Sequence, residues 1–217
     1  MKTVNQLLTL LPIAILAGCS NPADKVPAAS VSSNTNAPTE ATQPTKTSAL
    51  AARSYAIAPE NSSIEFVGSK VTGHHNGGFK KFSGELKAGN GKLSDAGNKI
   101  EIDVSSIYTD TDRLTGHLKS PDFFNASQFP TATFETTAIT PQATNSLVTG
   151  NLTLHGVTKQ ISFPAKIQVA DDAVELAADF SIKRYDFDIK YPGKANDLIR
   201  NEVVLKVKVR ATPAAKG

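Results

Sequence analysis

Few side chains in this 217-residue chain have the chemistry to act on a substrate, and their spacing limits what they can do. The only cysteine, Cys19, excludes an intramolecular disulfide and any metal site built from cysteines. Four histidines remain, His74, His75, His117 and His155. Imidazole together with a carboxylate such as Asp122 is a suitable donor set for zinc. Yet no pair of these histidines has the helical or alternate-strand spacing that puts two ligands on one face. Adjacent His74 and His75 point to opposite faces if extended, and Gly73, Gly77 and Gly78 around them read as turn. Asp110 and Asp112 resemble the start of a calcium loop that lacks its glycine and distal glutamate. They read instead as preceding and capping a helix, with Asp112 placing negative charge at its N-terminus. No G-x-S-x-G, H-E-x-x-H or phosphate-cradling Gly-rich loop is present. The expectation is a protein that is not an enzyme and uses neither metal nor cofactor.

The elements that would position these residues are mostly strands, and the exception is residues 113–134, R-L-T-G-H-L-K-S-P-D-F-F-N-A-S-Q-F-P-T-A-T-F. Leu114 and Leu118 share one helical face, after which Pro121, Asp122 and Asn125 break the pattern and lead into Phe123, Phe124, Phe129 and Phe134. The spacing predicts a short helix and an aromatic loop that cover a β-structure. His117 on that helix has two readings, contact with a ligand headgroup or bonding to a backbone carbonyl.

Elsewhere the period is two. Ile64 and Phe66, Ile100 and Ile102, and Leu152 and Leu154 alternate with polar neighbours. So do the longer runs Ile161, Phe163, Ala165, Ile167, Val169; Val174, Leu176, Ala178, Phe180, Ile182; and Val203, Leu205, Val207, Val209. Asp171 and Asp172 mark a turn that makes 161–182 a hairpin. About eight antiparallel strands with one apolar face each must close into a barrel or stack as two sheets, and alternation alone does not choose. With no Trp and only 4 Tyr to plug it, a closed barrel of this composition leans toward a cavity.

The flanks carry other signals. Lys2, the apolar run 7–16 and Leu16-Ala17-Gly18-Cys19 have the form of a bacterial lipoprotein signal, residues 1–18, with Cys19 receiving acyl chains such as palmitate. Ser20 after the cysteine resembles the outer-membrane sorting pattern. Residues 19–53 are rich in Ala, Ser, Thr and Pro and read as a disordered tether. Residues 54–211 form the domain, and 212–217 a polar tail. A formal charge of +3 with scattered basic residues excludes an electrostatic case for nucleic acid.

Five stretches in order carry a resemblance: Y-A-I-A-P-E-N-S-S-I-E-F at 55–66, G-F-K-K-F-S-G at 78–84, H-L-K-S-P-D-F-F-N at 117–125, F-P-T-A-T-F at 129–134 and G-N-L-T-L-H-G-V-T-K at 150–159. The chain resembles the YceI-like family of bacterial envelope proteins, also described as polyisoprenoid-binding. The resemblance implies an all-β fold, an extended antiparallel eight-stranded lipocalin-like β-barrel holding a long isoprenoid or similar lipid, with no established catalytic step. Where many members have a longer segment after the first strand, this chain has G-S-K-V-T-G-H-H-N-G-G-F, so its cavity mouth is expected to differ. The lining residues expected are Phe66, Phe82, Phe123, Phe124, Phe134, Leu154, Phe163 and Phe180, with His117 at the headgroup. The expected function is lipid storage or transport in the envelope, with the membrane as partner through Cys19. A solid-barrel structural or protein-interaction module is the alternative.

Overall fold

The computed structural model describes residues 21–32 and 53–214. In chain order the elements are β1 (Ser30–Ser32), β2 (Arg53–Ile57), β3 (Ser63–Lys70), β4 (Gly73–Phe79), β5 (Phe82–Gly89), β6 (Lys92–Leu93), β7 (Lys99–Asp103), β8 (Ile107–Thr109), α1 (Asp112–Lys119), β9 (Thr131–Pro141), β10 (Ser146–Leu154), β11 (Val157–Val169), β12 (Val174–Lys183), β13 (Gly193–Lys194) and β14 (Asp197–Pro213). Short 3-10 turns occupy Pro22–Lys25, Val104–Ser106 and Arg184–Phe187.

Three staves of the barrel are bent in two. β2 continues into β3, β4 into β5 and β7 into β8, and each pair faces the same two neighbouring staves. Counting each as one, the ring runs through β9, β10, β11, β12 and β14 and back to β2/β3, an eight-stranded closed antiparallel barrel. Closure hides the edges that eight amphipathic strands would otherwise expose. The expected hairpin over 161–182 forms, with Val169 opposite Val174 and Ala170 N–H donating to the Ala173 carbonyl at 2.9 Å. β10 and β11 are joined by His155 and Gly156 at φ of 51° and 74°, the left-handed pair that a two-residue hairpin turn requires.

One stretch of the ring is not closed by its own strands. β11 pairs with β12 only over Lys166–Val169, and above that the two diverge. The gap is filled by residues 27–32. Ser181 N–H donates to the Pro27 carbonyl at 2.9 Å, and Ala29 N–H donates to the Ser181 carbonyl at 2.8 Å. Ser30, Val31 and Ser32 then pair with Ser162, Ile161 and Gln160.

This corrects the tether reading for residues 21–32. Their composition lacks large aliphatics, but docking needs only backbone pairing and small side chains: Ala29 packs on the interior cluster, while Ala23 and Val26 cover the outward Val67 and Val204. At the other end, Thr212 and Pro213, read as tail, complete β14 opposite Ala56 and Tyr55. Cys19, the leader and residues 33–52 of the tether lie outside the described residues.

Candidate functional site: the barrel interior and its cover

The cover is built as its sequence suggests, with one change of cap. Thr111, not an aspartate, caps α1, its side chain accepting from Leu114 N–H at 3.4 Å, while Asp112 supplies negative charge in the first turn. Asp110 is drawn away by His75 Nδ1 at 2.9 Å and Asn76 N–H at 3.2 Å, and the bond to His75 is the main cause that holds its carboxyl below the usual range. Leu114 and Leu118 face inward together onto Phe66, Ile107, Phe123 and Ile189. After the helix, Phe124 N–H returns to the Leu118 carbonyl at 3.0 Å and Ala126 N–H to the Lys119 carbonyl at 3.0 Å, so the chain folds tightly under α1 and presents both phenylalanines to the barrel.

The aromatic rings form two groups. At the covered end Phe79 bridges Phe66 (6.1 Å between centroids) and Phe124 (6.2 Å), and His117, Phe123 and Tyr191 form a triangle with sides of 5.0 to 5.1 Å. Deeper inside, Phe134 lies 5.5 Å from Phe163, which stacks on Phe180 at 4.0 Å. Leu154 packs on both groups and joins them. Gly150 leaves room for this arrangement, because a Cβ there would stand 2.5 Å from the Phe134 ring.

The inward face is not uniformly buried. Ile167, Leu176, Leu205 and Val207 lie on the inward face of strands paired on both edges, yet remain only partly buried. Their outward neighbours Lys166, Glu175, Lys206 and Lys208 are exposed. The inward face of these strands is therefore less tightly packed than the clusters at either end. Two depressions of about 510 Å³ and 380 Å³ lie instead on the outer wall, lined in large part by polar side chains such as Lys81, Glu101 and Asp103 in the first and Glu65, Asp110 and Lys206 in the second. Each also touches one expected lining residue, Phe82 in the first and Phe66 in the second.

The expected lining residues fall along the barrel rather than at one spot. Phe66, Phe123 and Phe124 sit at the covered end, Phe134, Leu154, Phe163 and Phe180 in the middle, and Phe82 at the far end with Tyr55, Ile57 and Leu86. His117 does not bond a backbone carbonyl: its Nε2 lies 2.8 Å from Asp122 Oδ2, and its ring edge packs on Phe123 and Tyr191 at the covered end. Sequence reasoning missed Phe79 and Tyr191. Phe79 stood in the quoted G-F-K-K-F stretch, whereas Tyr191 lies in an irregular segment with no period to flag it.

It also missed Arg184, seen only as half of a basic dipeptide. Arg184 is 4% exposed and has no carboxylate partner among the described residues. Its guanidinium donates to the carbonyls of Ile189 (2.7 Å), after the 3-10 turn, and of Arg200 (3.0 Å) and Ile199 (3.2 Å), at the irregularity in β14 between Ile199 and Val203. Burial lowers its pKa from the usual arginine value. Among the described residues no three His, Cys, Asp or Glu side chains converge as metal ligands would.

With this geometry in hand, the likeness to known proteins is specific. The sequence profile of the YceI-like domain matches residues 55–211. A UPF0312 protein of Pseudomonas aeruginosa (strain LESB58) is 38% identical over 91 residues, 42% of this chain and 48% of that protein. Protein YceI of Salmonella arizonae is 33% identical over 119 residues, 52% of this chain and 62% of that protein. The chain thus spans about half the length of the curated relatives it matches. Among solved structures, Burkholderia cenocepacia BcnA superposes with a TM-score of 0.64 at 25% identity, over 72% of this chain and 99% of that one. A polyisoprenoid binding domain from Saccharophagus degradans, implicated in plant cell wall breakdown, superposes with a TM-score of 0.60 at 19% identity, over 74% and 98%. The second likeness shows the fold alone.

Proposed function

The chain belongs to the YceI-like family, and from that premise we propose that its barrel is a non-catalytic binder of one long apolar lipid, a polyisoprenoid or similar chain, in the bacterial envelope. The observation that carries this reading is the column of inward apolar side chains, from Phe124 through Leu154 to Leu176 and Val207, that keep accessible surface inside a closed ring. Such a lumen recognises length and apolarity without hydrogen-bond readout. At about 0.8 kcal/mol per buried CH₂, two five-carbon isoprene units supply roughly 8 kcal/mol, the free energy of a micromolar complex. The S. degradans neighbour, a polyisoprenoid binding domain, supports the choice of ligand class.

In the same reading Cys19 carries acyl chains that hold the protein to the outer membrane on its periplasmic side, since more than one chain is needed for stable anchoring. The test is mass spectrometry of an organic extract of the protein purified without detergent. A long-chain lipid in stoichiometric amount supports the proposal. A lipid-free extract from a folded barrel that also takes up no added polyprenol would leave the solid-barrel alternative in its place.

A further inference from the structure

Among the described residues only four large apolar side chains are exposed, and three of them gather at one end of the barrel: Val71 at 56%, Leu198 at 49% and Tyr185 at 42%. They belong to one surface. Val71 N–H donates to the Leu198 carbonyl at 3.2 Å, and Tyr185 N–H donates to the Asn201 side chain at 3.0 Å, so the turns after β3 and β12 both join the start of β14. This is the covered end, for Ile189, Tyr191 and Ile199 next to the patch pack in the same cluster as Leu118 and Phe123. Beside it Lys194 and Arg200 are exposed and take part in no ion pair among the described residues, whereas Lys70 is bonded to Asp197 and Lys190 to Asp188.

A second observation bears on the same end. The docked segment that begins at Asn21 lies on the outer wall over Val67 and Val204. From Val67 to Lys70, the last residue of β3 before Val71, is about 10 Å along the strand. Cys19 precedes Asn21 by two residues, a reach of at most about 7 Å. If Cys19 is the anchor proposed above, it attaches within about 30 Å of the apolar patch, which keeps that end of the barrel within reach of the membrane.

We propose that the covered end of the barrel is a membrane-docking surface. Val71 and Leu198 enter the headgroup layer, Tyr185 lies at its boundary, and Lys194 and Arg200 meet anionic lipid phosphates. An apolar ligand leaving the bilayer would then meet α1 and the Phe123–Phe124 loop first, without crossing water. The patch stands on its own residues, and only the parts about Cys19 and the entering ligand rest on the proposed function.

The chain contains no Trp, so a single introduced one reports on its own surroundings. In a chain carrying Cys19→Ser, which removes the anchor, Leu198→Trp is compared with Gln142→Trp in the β9–β10 turn at the far end. The probe is vesicles of phosphatidylethanolamine and phosphatidylglycerol with brominated acyl chains. Leu198→Trp is expected to shift to the blue and be quenched, Gln142→Trp to stay unchanged, and Lys194→Glu with Arg200→Glu to lower vesicle partitioning roughly thirtyfold. Circular dichroism confirms that each variant is folded. No quenching of Leu198→Trp, as when the patch serves a protein partner, or equal quenching at both ends, overturns the docking surface. The readout does not depend on a lipid in the lumen, so a lipid-free extract with a quenched Leu198→Trp refutes the lumen reading alone.

Discussion

Phe124→Asp separates a functional cover from mere packing. Phe124 is partly buried, contacts the clusters around Leu118 and Val104, and lies edge-on to Phe79 at 6.2 Å. Fully buried Phe truncations cost about 3 to 5 kcal/mol, so a partly buried one removes roughly 2 kcal/mol of packing. A carboxylate facing those rings finds no hydrogen-bond donor among them and stays ionised by swinging to water, which holds the loop away from the barrel. If that rehydrates one terminal isoprene unit, the complex loses about 4 kcal/mol, close to a thousandfold in affinity. Titration of a fluorescent polyprenol analogue gives the affinity, with far-UV circular dichroism and urea unfolding to show that the barrel persists. Lys119→Ala, a change to a polar side chain of the same segment, should leave affinity within a fewfold. Equal affinities in two folded variants would refute the cover and favour a solid barrel.

Other consequences follow from single contacts. Arg184→Met strands the carbonyls of Ile189, Ile199 and Arg200 and should cost about 3 kcal/mol, lowering Tm by roughly 6 to 12 °C in a scanning calorimeter, and Lys should not rescue it because one ammonium cannot match the fork. Gly150→Ala drives a methyl into the Phe134 ring and the Glu135 carbonyl, both 2.5 Å from the new Cβ, and should destabilise by about 1 to 3 kcal/mol in urea. Asp197 is held below the usual carboxylate range chiefly by its bond to Lys70 at 2.6 Å. A lowered folded pKa means stability that is present above the unfolded value of about 3.9 and is lost as pH falls through the folded value. Asp197→Asn should therefore flatten the acid limb of the urea midpoint below about pH 4, and an unchanged limb would assign the loss to other carboxylates.

Much of this architecture is legible in the residues because each strand has one wet face. The parity of Val174, Leu176, Ala178, Phe180 and Ile182, and the Asp171-Asp172 turn before them, specify β12 and its hairpin through burial alone. The pairing of Leu114 with Leu118 specifies α1 in the same way. What escapes is structure made by backbone bonds or by isolated contacts. Residues 27–32 dock through carbonyls, amides and one alanine, which have no hydrophobic period. Arg184 works as a cap for carbonyls of an irregular strand and of the segment after its own turn, a role set by tertiary geometry that a basic dipeptide cannot signal. The choice of Thr111 over Asp110 as the helix cap is likewise decided by His75, distant in sequence and adjacent only once β4 and β8 pair.

The claim that the barrel encloses a lipid is tested most directly by native mass spectrometry of the intact protein, purified without detergent and then mixed with a polyprenol. The account predicts a single adduct of one long-chain lipid per folded barrel, retained until the barrel unfolds and weakened in Val207→Trp, where an indole occupies the lumen between Ile64 and Ala178, its partners across the strands. A folded protein that shows only its own mass before and after the polyprenol is added would contradict it.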